Sequence, residues 1–184
     1  SQMLLSHSIG AFQRGKKSII CGDPKQMTPS SYFKKKQVNE MSLLHHAFYH
    51  LPKVFLSNHY RSRHPRLIAY SNANFYENRL NSFQDMQAIE DPIEHHYIAD
   101  GVYHERQNKK EADAVAQKIE NEIDNKLKIG VVAFSETQLQ LIHECLKNEI
   151  RTKLNKRIEE KSAFSHSLEN VQGDECDLLF ISMG

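Results

Sequence analysis

Tryptophan is absent, and no apolar run approaches the roughly 18 residues that a membrane-spanning helix requires. No membrane partner is therefore expected. An excess of one charge is missing too: Lys and Arg number 24 against 23 Asp and Glu, a net charge of +1. A purely electrostatic nucleic-acid binder would carry a global surplus, so any such site here must be a local patch. Cys21, Cys145 and Cys176 are the three cysteines, too few and too scattered for a disulfide framework or a zinc site, and they are expected as free thiols in a reducing cytoplasm. The opening Ser-Gln-Met-Leu-Leu lacks the charged start of a secretory leader. No Gly-x-x-x-x-Gly-Lys-[Ser/Thr] occurs anywhere, so the chain supplies no P-loop to cradle phosphates. The apolar share is 39%, below the ~45–50% of typical globular domains. That fits a chain that covers part of its surface with something else.

Short apolar runs over Ser18–Cys21, Val54–Leu56, Ile129–Phe134 and Leu178–Ser182 predict strands. The last two are nearly continuous, as in strands buried on both faces of a parallel sheet. Helical periodicity over Glu111–Lys126 puts Ala112, Val115, Ile119 and Ile123 on one face, behind a capping box of Asn108 and Glu111. A second helix is predicted over Thr137–Ile150, behind a box of Ser135 and Gln138. Pro65 suits the first turn of a third, which carries Leu67, Ile68, Phe75 and Tyr76. Residues 81–100 read as a connection, and 151–161 as a loop or helix extension. Strand, cap, helix, strand is the grammar of an α/β fold with a parallel sheet.

Three polar segments adjoin these strands. Gly22–Pro29 follows the first, where open α/β sheets bind ligands, although Gly, Asp and two Pro also suit a plain turn. Leu56–Pro65 contains Arg61 and Arg63 just ahead of a helix; a guanidinium there can bind phosphate in a planar, bidentate way, and helix starts disfavour cations. Leu168–Asp177 gathers carboxylates around Gly173 before the last strand, which fits a metal site or a polar loop. His45, His46 and His50 have helical spacing but no intervening Glu to complete a zinc-binding pattern, so a solvated face and no metal are expected. Lys34–Lys36 and the mixed charges of residues 151–160 suit a solvated surface.

Taken together, the segments resemble the motifs of superfamily 1 helicases. GDPKQMTP (22–29) resembles motif III, GDxxQLPP. LSNHYRSRHPRLIAYSNANFY (56–76) resembles motif IV. ENVQGDECDLLFIS (169–182) resembles motif V, and IGVVAFSETQ (129–138) is similar to the strand and loop IGVITPYRAQ. Four matches in order span most of the chain, and the branch they resemble most is superfamily 1B, which includes the nonsense-mediated-decay helicase. Ser1-Gln2-Met3 resembles the residues after the Walker B sequence of that branch.

The resemblance implies an α/β fold with a RecA-like, P-loop-NTPase-type parallel sheet flanked by helices, incomplete at both ends. Residues 1–52 would be the C-terminal remnant of a first RecA-like domain and 53–184 most of a second, stopping before the motif VI arginine. It implies part of an ATP-dependent helicase or translocase that uses ATP and Mg²⁺, acts on single-stranded DNA or RNA, and works in the cytoplasm or nucleoid with the rest of its parent chain. Without P-loop and Walker B carboxylates, the chain alone is expected not to hydrolyse ATP. A non-catalytic RecA-like nucleic-acid-binding module is the alternative, and a nuclease built on the motif V carboxylates is a third reading.

Residue by residue, the resemblance makes Gln26 the γ-phosphate sensor and Arg61 the arginine finger. Asp23 would stand beside the Mg²⁺ shell. Tyr60, Gln172, Gly173 and Glu175 would lie at the nucleotide. Thr28, Pro29, Ser135 and Ser167 would touch the strand. Departures are Met27-Thr28 for Leu-Pro, Asp174 and Cys176 where basic residues are common, and Phe-Ser-Glu-Thr for Thr-Pro-Tyr-Arg. The implied mechanism is a two-domain ratchet whose closure brings Arg61 to the γ-phosphate.

Overall fold

A computed structural model describes residues 3–26, 42–83, 91–171 and 173–184. The chain forms two compact units, Ser1–Glu94 and His95–Gly184.

The first unit contains α1 (Leu5–Phe12), α2 (Leu43–His50), β1 (Asn58–His59), α3 (Arg66–Phe75) and β2 (Asn81–Ser82). Ser42 caps α2 by accepting the His45 N–H at 3.2 Å, and the Leu43 N–H donates to Met3 O at 2.8 Å. Pro65 caps α3, as its fixed φ favours. The helix ends through Glu77 and Asn78, both left-handed. Asn72 then turns the chain into β2, because its amide exchanges two 3.0 Å hydrogen bonds with the Leu80 backbone. β1 and β2 pair in parallel, Asn58 opposite Asn81.

Neither Ser18–Cys21 nor Val54–Leu56 is a strand, contrary to the sequence-based expectation. Ile19 is 91% and Val54 88% exposed. Apolar β-formers become a strand when a neighbour accepts their backbone bonds, and among the described residues these runs have no such neighbour.

The second unit contains α4 (Lys109–Glu122), β3 (Ile129–Ala133), α5 (Glu136–Cys145), α6 (Asn148–Glu159), β4 (Ala163–Ser167) and β5 (Leu178–Ser182). The strands form a parallel sheet in the order β4-β3-β5. Ile129, Val131 and Ala133 on β3 pack with Ala112, Ala116, Ile119, Leu139, Ile142 and Leu154 of the helices to form the core. Gly130 lies on the opposite face, where Phe164, Cys176 and Leu179 close over it. Arg157 ties the layers together by donating to the carbonyls of Ile123, Asn125, Leu127 and Ser162.

This is a mixed α/β unit with a parallel sheet, as expected, with three differences in detail. The helix predicted over Thr137–Ile150 breaks at Leu146, and the basic segment after it is α6. β3 is buried on both faces, but β5 is an edge strand on which Leu179 and Ile181 remain exposed. β4 was not anticipated: Ala-Phe-Ser-His-Ser lacks a β-branched run, and pairing with β3 makes it a strand.

Candidate functional site

In the first unit, the segment after residue 21 is shaped by Asp23. Its Oδ1 accepts the Lys25 N–H at 2.9 Å, and the Gln26 N–H donates to the Asp23 carbonyl at 3.3 Å. This is the local turn that an Asp side chain favours. Asp23 Oδ2 accepts the Tyr76 hydroxyl at 2.5 Å. Burial, then the hydrogen bond and charge of Asp23, push the Tyr76 hydroxyl up to about 12, so it remains a proton donor at neutral pH. Tyr76 ends the motif IV resemblance and carries no role in the sequence reading. Thr28 and Pro29 lie outside the described residues.

Arg61 and Tyr60 occupy a turn held by an imidazole. The Ser62 N–H donates to His59 Nε2 at 3.2 Å, and Ser62 Oγ lies 2.8 Å from the same nitrogen. His64 is buried and accepts the Arg66 N–H at Nδ1. The polar frame therefore points inward, while Tyr60 is 87% exposed and Arg61 lies on the surface.

In the second unit, the parallel register aligns Ser167, Ala133 and Ser182 in one row across the C-terminal strand ends. Ser182 and Gln138 are fully buried and bonded to each other at 3.0 Å. Gln138 also accepts the Asn108 N–H at 2.7 Å and donates to the Asn108 carbonyl. Each predicted capping box is therefore half formed. Asn108 and Ser135 accept the expected N–H groups of Glu111 and Gln138, whereas the reciprocal side chains reach elsewhere. Glu111 Oε1 accepts from Ser182 Oγ and from the N–H groups of Met183 and Gly184, fixing the exit from β5.

Ser135 donates its hydroxyl proton to the Arg106 carbonyl at 2.8 Å while its oxygen caps α5. Ser167 is 9% exposed and accepts the Asn170 amide at 3.0 Å. Beyond it, residues 168–177 cross from the C-terminal end of β4 to the start of β5. The crossing is pinned by Leu168 N–H to Ala133 O, by Asp177 N–H to Lys128 O, and by Lys128 N–H to the Asp177 carboxylate. His166 Nε2, on β4, lies 3.5 Å from Asp174 Oδ2 of the crossing. Gly173 has φ +100°, which supplies the residue's reason: only glycine adopts that backbone without strain. Glu175 is exposed on the same loop, and Gln172 lies outside the described residues.

Gln26, Asp23, Tyr60 and Arg61 thus belong to the first unit, and Ser135, Ser167, Gly173 and Glu175 to the second. No group of three or more His, Cys, Asp or Glu among the described residues could hold a metal ion; the His46 and His50 rings lie tilted to each other at 42°, with centroids 4.6 Å apart. No helix among those residues is long and apolar enough to cross a membrane.

A parallel sheet packed against helices, with polar side chains gathered at the strand ends, makes the second unit a mixed α/β architecture. The chain belongs to the AAA domain family, whose model matches residues 35–184. It is 31% identical over 220 aligned positions to the uncharacterized ATP-dependent helicase MG140 of Mycoplasma genitalium and, equally, to the MG140 homolog of Mycoplasma pneumoniae. Those alignments cover 100% of this chain and 19% of either relative. No solved structure matches the chain at a significant level.

Proposed function

We propose that the chain is part of an ATP-dependent superfamily 1 helicase or translocase of the 1B branch, acting on single-stranded DNA or RNA. The observation that carries this reading is the alignment of the whole of this chain to part of two proteins named ATP-dependent helicases. The four motif-like segments stand in their helicase order within that span. On this reading residues 1–52 end a first RecA-like domain and 53–184 form most of a second.

The donor chemistry fits a nucleoside triphosphate with its Mg²⁺ in part. Asp23 is a carboxylate set in a tight turn, Gln26 an amide and Arg61 a surface guanidinium. The phosphate cradle is not among them, because the chain holds no Gly-x-x-x-x-Gly-Lys-[Ser/Thr]. Hydrolysis of the bound triphosphate supplies the free energy for movement. Gln26 reads the terminal phosphate, and Arg61 offsets negative charge on it. Tyr76 holds Asp23, and with it the turn that carries Gln26. Ser167, at the C-terminal end of β4, contacts the nucleic-acid backbone, which gives affinity without sequence preference.

Arg61→Ala in a protein of the relatives' length tests the assignment. An arginine finger contributes about 10³–10⁵ in rate, so strand-stimulated ATP turnover falls at least about a thousandfold while single-strand affinity in the absence of nucleotide is retained. Unchanged turnover removes Arg61 from the mechanism. Retained strand binding by a wild-type protein without turnover favours a non-catalytic binding module.

A further inference from the structure

We propose that the tight turn His104–Gln107 is a single-stranded nucleic-acid contact in which the Arg106 guanidinium takes a backbone phosphate. The proposal rests on the reading that this protein binds a single strand.

Five non-glycine residues have positive φ: Glu77, Asn78, Glu105, Arg106 and Lys161. Three of them leave helices, Glu77 and Asn78 after α3 and Lys161 after α6. Glu105 and Arg106, at φ 50° and 65°, instead form the two central residues of a closed turn. The His104 N–H donates to Gln107 O at 2.8 Å, and the Gln107 N–H donates back at 2.9 Å. Such a turn selects Asn and Gly, so a Glu-Arg pair is a strained choice that persists because its surroundings hold it.

Those surroundings are the start of α5. Ser135 Oγ and Thr137 Oγ1 both donate to the Arg106 carbonyl, at 2.8 and 3.1 Å. The Gln107 amide donates to Thr137 O at 3.3 Å. The turn is thereby fastened just past the C-terminal end of β3, beside the serine row. The Ser135 proton is spent inside the protein and is not available to a phosphate. What Ser135 and Thr137 position is Arg106, which is exposed and whose side chain has no hydrogen bond or ion pair among the described residues. The neighbouring Glu105 pairs with nothing there either. Tyr103, 58% exposed, directly precedes the turn, and an exposed aromatic is a residue type on which single-strand sites stack bases.

The test is single-strand affinity without nucleotide, measured by fluorescence anisotropy of a labelled oligothymidylate across a salt series, in a protein of the relatives' length. Arg106→Asn removes the charge and keeps a residue that tolerates the left-handed backbone; Arg106→Gly is a second charge-free variant. Both are expected to raise Kd about threefold to tenfold and to reduce the log–log salt slope by about 0.7, one phosphate contact on a single strand. Arg106→Lys is expected to keep the wild-type slope. A Ser135→Ala/Thr137→Val double variant, which unfastens the turn, is expected to weaken binding with Arg106 still present. Wild-type Kd and slope in both charge-free variants would overturn the proposal and leave the helicase reading standing. A wild-type protein that binds no single strand would overturn both.

Discussion

A Cβ at residue 130 would stand 2.5 Å from the Phe164 ring and 2.9 Å from both Cys176 Sγ and Leu179 Cδ1. Glycine is required there by close approach rather than by backbone conformation. It lets β4, β5 and the 168–177 crossing close over the centre of the sheet, and so sets the position of the loop that carries Gly173 and Glu175. Gly130→Ala is accordingly expected to lower unfolding stability by about 1–3 kcal/mol, the usual cost of overpacking. It should also speed modification of Cys176 by a thiol reagent. That sulfur is half-buried, and burial, then the Asp177 charge, push its thiol up. Denaturant midpoints and labelling rates measure the two effects. An isolated glycine inside an apolar strand signals such an approach in the sequence, but which side chains would meet it was not legible there.

At the scale of elements, α3, α4, α5 and the two most apolar strands were legible because their signal is local. Asn108 and Ser135 cap α4 and α5 as their spacing predicts. What was not legible depends on distant partners. Whether Ser18–Cys21 or Ala163–Ser167 becomes a strand turns on which neighbour accepts its backbone bonds. Gln138 satisfies Asn108 and Ser182 rather than its own cap because those buried groups have greater need of it. Of the candidate site, the residue types and their order were readable, whereas the use of Ser135 to fasten the Arg106 turn emerges from the folded geometry. The α5–β4 contact carries a pH prediction of its own. His143 Nε2 lies 2.7 Å from Ser165 Oγ. Burial, then the Arg151 charge, hold its pKa below the ordinary 6.5, with Glu136 opposing. Because the folded value is depressed, the unfolded chain takes up the proton first as pH falls. The stability present above pH 6.5 is then lost as pH drops toward the folded value. Urea midpoints should therefore fall below that pH, and fall less in His143→Gln; parallel pH profiles would contradict the assignment.

At the scale of the whole molecule, the chain spans 19% of the length of its Mycoplasma relatives, and the nucleotide chemistry proposed for it is a share of a larger site. Asp23, Gln26 and Arg61 would supply a turn, an amide and a guanidinium, while the phosphate cradle is found nowhere in the 184 residues. The motor and its substrate are the central claim, and the most direct measurement is steady-state ATP turnover by a protein of the relatives' length, with and without single-stranded DNA or RNA, using the 184-residue chain as the blank. The account predicts turnover that rises on adding single strands, and none from the blank. Turnover indifferent to nucleic acid, or hydrolysis by the 184-residue chain itself, would contradict it.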